Sequence, residues 1–185
     1  MFFPAILMAI SVAREREIGT ITNFHVTPTR RFEFMIGKQL PYIAIGMINY
    51  MIMTGMAVYL FGVPFTGDFA ILTLGALIYV MASTSYGLLV SVFTRTQVAA
   101  VFAAMVIMMM PTVVFSGMVQ PVASLEGGAR IIGLSWPTHY YMYMSVGAFT
   151  KGLGFGQLAP EIPRIALFIP VFLIPALLLL RKQAR

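Results

Sequence analysis

The sequence has no cysteine, which excludes disulfides, thiolate metal centres and cysteine nucleophiles. Charge is almost as scarce, with Asp, Glu, Lys and Arg making up 10% of the chain against about 25% in ordinary soluble domains. That charge lies in short clusters, and three long blocks, 39–67, 69–94 and 96–125, carry none. A bilayer core of ~30 Å takes roughly 20 apolar helical residues and tolerates almost no unpaired charge, so each block is long enough to cross it. The hydrophobic content of 59% and the mean hydropathy of +0.90 agree, and a water-soluble core is excluded.

Other absences narrow the function. The phosphate-binding pattern Gly-x-x-x-x-Gly-Lys-Ser/Thr does not occur, so ATP is not bound here in the usual way. The uncharged blocks also lack His, which removes the intramembrane carboxylate or histidine relay of proton-coupled carriers and favours an externally powered permease. No Ser, His and acid grouping offers a positioned nucleophile and base, and the chain reads as a non-enzyme. A net charge of +6 would ordinarily suggest nucleic acid, but the Lys and Arg residues flank apolar spans as topology determinants. The partner expected is therefore the lipid bilayer, not nucleic acid. Methionine is abundant, at 15 residues, and Met47, Met51, Met53, Met56, Met108, Met109, Met110, Met142 and Met144 raise a Cu(I) site. With only two His and no tight external Met cluster, adaptable apolar packing is the stronger reading, and no metal or cofactor is expected.

The basic residues set an orientation. Arg14, Arg16, Arg30, Arg31 and Lys38 follow the first apolar segment, Arg95 separates the second and third uncharged blocks, and Arg181, Lys182 and Arg185 close the chain. All belong on one side, which the positive-inside rule makes cytoplasmic, in a multi-pass protein of a cell membrane, for which a bacterial inner membrane is the expectation. Residues 1–13 read as the end of a truncated transmembrane helix, too short for a span and lacking the basic start of a signal peptide, which suggests a fragment of a longer protein. Residues 39–120 hold three spans, 121–164 an extracytoplasmic segment, and 165–185 the last span with a basic tail. The stretch 131–150 is free of formal charge and would flip the C-terminus if it crossed. Its Ser135, Pro137, Thr138 and His139, with Trp136, Tyr140, Tyr141 and Tyr143, favour an interfacial or re-entrant helix. The last span, 165–180, holds Pro170 and Pro175 and is expected to kink or to borrow flanking residues. Pro41 is read as opening the second apolar helix. Pro111, deep in the fourth, frees a carbonyl that Thr112 or Ser116 can satisfy, as a static kink or as a hinge. Ala99, Ala100, Ala103 and Ala104 allow close helix approach, within the chain or with a second copy.

The most specific segment is 14–38. Ile18, Ile21 and Phe24 recur at helical spacing, and Thr27 before Pro28 reads as an N-cap with proline at the first helical position. The result is a polar elbow carrying a short amphipathic helix, attached to spans at both ends, that a cytoplasmic partner can push. Glu15 and Glu17 are either a solvated pattern with Arg14 and Arg16 or a docking patch, and Gly19 and Gly37 permit close packing.

Here the chain resembles the permease subunits of type-2 ATP-binding cassette exporters. Their loop has basic-Glu-basic-Glu-x-Gly-Thr, a hydrophobic turn, Thr-Pro, and Gly-Lys before the next span, matched by Arg14, Glu15, Arg16, Glu17, Gly19, Thr20, Thr27, Pro28, Gly37 and Lys38. It departs at His25, where such loops more often carry an aliphatic residue. The run Trp136-Pro-Thr-His-Tyr140, with Lys151-Gly152 beyond, looks like the external segment before the family's last span. The resemblance implies an all-α polytopic fold, with four full transmembrane helices, a truncated N-terminal one, an amphipathic cytoplasmic coupling helix and an external re-entrant helix. It further implies a dimeric pathway made with a second permease copy or paralogue. Cytoplasmic ABC ATPases would bind the ATP and be coupled through residues 14–30. Met108, Pro111, Thr112, Phe115 and Ser116 are the expected path residues, for a bulky and partly apolar solute. The alternative is a non-transporting membrane anchor or assembly partner for an ATPase.

Overall fold

The computed structural model describes residues 2–18, 31–94, 96–117, 122–124 and 126–183. Among them every regular element is helical. Helix α1 (Phe2–Glu17) is followed by α2 (Arg31–Gly55), which passes into a π-turn (Met56–Leu60), and then by α3 (Phe69–Phe93) and α4 (Gln97–Val114). Five shorter helices complete the chain: α5 (Gly127–Leu134), α6 (Pro137–Thr150), α7 (Phe155–Leu158), α8 (Glu161–Ala166) and α9 (Phe168–Gln183). Four stretches are long and apolar enough to cross a membrane, Met35–Leu60, Phe69–Phe93, Gln97–Val114 and Phe155–Leu179. Together with the short α1 they make an all-α polytopic membrane protein.

Several boundaries differ from the sequence reading. Helix α1 continues past Ala13 to Glu17, because Arg and Glu are good helix formers and Arg14 and Arg16 complement the negative end of the helix. Pro41 lies inside α2 and does not open it. Its ring crowds the carbonyl four residues back, at Gly37, a peptide that glycine leaves free to tilt and that is exposed near the end of the span. Among the described residues a Cβ on Gly37 would meet nothing within 4 Å, so none of them requires glycine there for close packing. The stretch 131–150 is not one helix, since α5 ends at Leu134 and α6 restarts at Pro137 after extended backbone at Trp136. With 14 residues, α6 covers about 21 Å, short of a bilayer core. In the last span the helix breaks at Leu167, within a turn of Pro170, and the apolar stretch begins at Phe155, so it is both interrupted and extended.

The chain divides into two compact units, residues 1–46, 80–106 and 169–185 in the first, and 47–79 and 107–168 in the second. In the first, Met8, Val12, Met35, Leu88, Val92 and Ala176 form the buried core, flanked by Leu173 and Leu177. Lipid tails are as apolar as these side chains, so burial among them gains little hydrophobic energy, and close approach with polar contacts has to supply the specificity. Gly87 of α3 faces Ala5 of α1 so closely that a Cβ would collide with the Ala5 backbone. Ser85 and Thr84 donate to the Met81 carbonyl at 2.8 and 3.0 Å, and Ser91 to that of Leu88 at 2.6 Å, satisfying these buried hydroxyls within α3 itself. Gln39 of α2 donates to the Ser85 hydroxyl at 3.0 Å. The alanines of α4 divide, with Ala100 and Ala104 fully buried while Ala99 is exposed.

In the second unit Asp68 caps α3, its carboxylate accepting from the Ala70 and Ile71 amides at 2.8 and 3.4 Å. The Gly67 amide donates to the Ala148 carbonyl at 2.9 Å, and the Phe65 ring meets Phe149 edge-on at 5.0 Å. These contacts tie the loop before α3 to the end of α6. Tyr79 and Tyr141 stack with ring centroids 4.7 Å apart.

Candidate functional site

In the first unit the end of α1 acts as a charged bracket. Successive residues on a helix point about 100° apart, so three in a row can reach three neighbours. Glu15 Oε1 lies 2.6 Å from Lys38 Nζ on α2, and Lys38 also donates to the Ser11 carbonyl at 3.1 Å. Arg16 Nη1 donates to the Val92 carbonyl, in the last turn of α3, at 2.8 Å. Burial pulls the Arg16 guanidinium below its ordinary pKa without threatening its charge. Glu17 Oε2 accepts from the amide of Gln97 at 3.3 Å and from its side-chain Nε2 at 2.9 Å, at the first residue of α4. Arg14 is exposed. Glu15, Arg16 and Glu17 therefore join α1 to α2, α3 and α4, contacts that sequence reasoning missed for Gln97 and Val92. The sequence singles out Lys38 for its place in the pattern and as a topology determinant, not as a partner of Glu15. Gly19, Thr20, Thr27 and Pro28, with the amphipathic helix and the cap expected there, lie outside the described residues.

The second unit holds the other candidate group. Pro111 stands in the last turn of α4, which ends at Val114, and the Phe115 amide donates to the Pro111 carbonyl at 3.1 Å. The Thr112 hydroxyl accepts from Trp136 Nε1 at 3.2 Å and lies 3.3 Å from the Thr138 hydroxyl, which in turn lies 2.7 Å from the Tyr79 hydroxyl. Indole N–H can only donate, so a consistent chain of donors runs from Trp136 through Thr112 and Thr138 to Tyr79. His139 Nδ1 lies 3.3 Å from the Ser116 carbonyl, which fixes the proton on that nitrogen. Thr112 thus turns its hydroxyl to the Trp136 and Thr138 side chains, where the sequence suggested repair of a carbonyl freed by Pro111. Met108 and Ser116 are buried, while Pro111, Thr112 and Phe115 are half-buried.

A cavity of about 360 Å³ opens elsewhere in the same unit, between Met51, Thr54 and Gly55 at the end of α2, Val58 and Tyr59 of the π-turn, and Phe65 and Phe69. It falls in the size range of small-ligand sites. The π-turn that shapes it, where the Phe61 amide reaches the Met56 carbonyl at 3.1 Å, has no signature in the hydrophobic pattern. Among the described residues no three of His, Asp or Glu come together as metal ligands.

Long apolar helices, joined at a charged bracket and carrying an uncharged hydroxyl and indole cluster, define a multi-pass membrane protein. Residues 1–178 match the family described as ABC-2 family transporter protein, and the chain belongs to that family. It is 29% identical over 148 residues to the probable multidrug ABC transporter permease YbhS of Escherichia coli, covering 80% of this chain and 39% of that one. To the probable multidrug ABC transporter permease YbhR of the same organism it is 32% identical over 120 residues, 65% of this chain and 32% of the relative. The inner membrane transport permease YhhJ of Escherichia coli is 25% identical over 182 residues, 96% of this chain and 47% of the relative. The chain spans less than half the length of these relatives. No solved structure matches it. Its place is the bacterial inner membrane, as a multi-pass permease-type component of an ABC transport system.

Proposed function

We propose that this chain is the membrane permease subunit of an ATP-driven exporter, working with a separate cytoplasmic ABC ATPase and a second copy or paralogue of itself. The reading rests on the family and is carried by one observation, the run Glu15, Arg16 and Glu17 engaging three separate helices at the start of the elbow. A push on residues 14–30 would reach α2, α3 and α4 together. Arg14, Gly19, Thr20, Thr27 and Pro28 complete the proposed coupling segment. The solute path is proposed to pass Met108, Pro111, Thr112, Phe115 and Ser116, where Trp136 and Thr138 close over Thr112. The short α5 and α6 are read as a re-entrant or interfacial external segment, given the aromatic residues of α6 and its length. The names of YbhS and YbhR, probable multidrug permeases, suggest drug-like solutes.

The test is co-purification in nanodiscs with the cassette ATPase encoded beside this chain, recording ATP hydrolysis with and without candidate solutes. Stable pairing with solute-stimulated turnover is expected, and the Glu15→Ala, Glu17→Ala double substitution is expected to weaken the stimulated turnover. Pairing without any solute dependence would instead identify an anchor or assembly partner.

A further inference from the structure

The three joints of the bracket sit in different surroundings. The Lys38 side chain is only 11% exposed and is held by both Glu15 and the Ser11 carbonyl, so parting it from Glu15 takes a counter-charge from a largely buried ammonium. Arg16 is partly buried where it meets Val92. Glu17 is exposed, and water can replace its partner at little cost. Its partner is the first residue of α4, whose N-terminus already has a local cap, the Thr96 hydroxyl accepting from the Ala99 amide at 3.3 Å. The Glu17 carboxylate adds a second acceptor to that positive helix end from 80 residues away in sequence.

We propose that the contact between Glu17 and Gln97 is the releasable joint of the bracket, and that Glu17 is a positioning residue which hands motion of the elbow to α4. In this view Glu17 is not part of the surface that binds the ATPase. The inference rests on the permease reading above and deepens it. Glu15 and Arg16 fix α1 against α2 and α3 as one body, since their contacts are costly to break. Movement relative to α4 then concentrates at the contact that water can open and close. Helix α4 is also the helix that contains Pro111 and Thr112, so the joint addresses the element on which the solute path is placed.

The natural absence of cysteine makes the test direct. A Glu17→Cys, Gln97→Cys variant is assembled with the ATPase in nanodiscs and oxidised to a disulfide. The locked complex is expected to keep its ATPase and to lose solute-stimulated hydrolysis by about fivefold or more, with reductant restoring it in the same sample. Restoration separates locking from misfolding. Exchange of the pair, Glu17→Gln with Gln97→Glu, rebuilds the side-chain contact and is expected to recover stimulation that Glu17→Ala loses. Full stimulation in the locked complex, or release of the ATPase by Glu17→Ala alone, overturns the inference. If the wild type engages no ATPase, the permease reading fails, and the joint is judged on the chain alone. Unfolding midpoints of Glu17→Ala, Gln97→Ala and the double variant then decide it: non-additive shifts support the contact and additive shifts overturn it.

Discussion

The bracket works through an asymmetry between its residues. Lys38 is largely buried with Glu15 and the Ser11 carbonyl as acceptors, so a single substitution there is felt beyond the loss of one ion pair. Lys38→Met is expected to lower stability by about 1–3 kcal/mol, because the partly buried Glu15 loses its ammonium. Lys38→Met combined with Glu15→Gln should recover part of that loss. Detergent-solubilised protein followed by intrinsic fluorescence in an SDS titration would measure both. A loss no smaller in the double variant would show that the ion pair is not the source. Glycine gives a second contrast. Gly87→Ala forces a methyl group into the backbone of Ala5 and should cost about 1–3 kcal/mol, whereas Gly128→Ala, with nothing within 4 Å, should be neutral or gain up to about 1 kcal/mol. Equal effects in the same titration would remove the close approach of α1 and α3 as an explanation.

At the scale of elements, the charge-free blocks foretold α2, α3 and α4, because membrane helices are dictated by apolar length and by the need to satisfy every backbone group internally. The enclosure of α3 was not legible. Its membrane stretch is 72% buried, against 11%, 18% and 17% for the other long stretches, yet its mean hydropathy of 1.7 falls within their range of 1.6 to 2.3. In a bilayer the inward and outward faces of a helix differ little in hydropathy, so periodicity carries no signal; the hydroxyls of Ser83, Thr84, Ser85 and Ser91 were the available clue. The sequence reading takes 131–150 as a single interfacial or re-entrant helix and misses its break at Trp136, and it also misses the engagement of Trp136 with Thr112, since the two are 24 residues apart and neither is charged. Hydrogen bonds between membrane helices are worth about 0.5–2 kcal/mol, and a chain of them couples its members. A double-mutant cycle of Trp136→Phe and Thr112→Val should therefore give a coupling of about 0.5–1.5 kcal/mol in the SDS titration. A coupling indistinguishable from zero would mean that the indole N–H is equally well served elsewhere and that Thr112 is not held by it.

At the scale of the whole molecule, one question decides how the proposed path and elbow are oriented, and the composition of the chain makes it easy to ask. The basic residues place 14–38 and the C-terminal tail on the same, cytoplasmic side only if 131–150 does not cross the membrane. The structure breaks that stretch between α5, which begins at Gly127 and has 8 residues, and α6, which has 14, and neither reaches the roughly 20 residues that a crossing takes. A membrane-impermeant maleimide applied to single-cysteine variants in right-side-out vesicles has no background here, because the parent sequence has no cysteine. Thr20→Cys and Ala184→Cys should both stay unlabelled until the membrane is permeabilised, while Thr66→Cys and Lys151→Cys should label in intact vesicles. Labelling of Ala184→Cys from outside, with Thr20→Cys still protected, would make 131–150 a true span and put the basic tail outside. Lys151 separates the two outcomes further: it follows α6 directly, so a crossing by 131–150 would carry it to the cytoplasmic side with its label lost. Protection of both Thr20→Cys and Ala184→Cys, with Lys151→Cys exposed, is the pattern required of a chain whose elbow meets an ATPase in the cytoplasm while α6 closes over Thr112 from the outside.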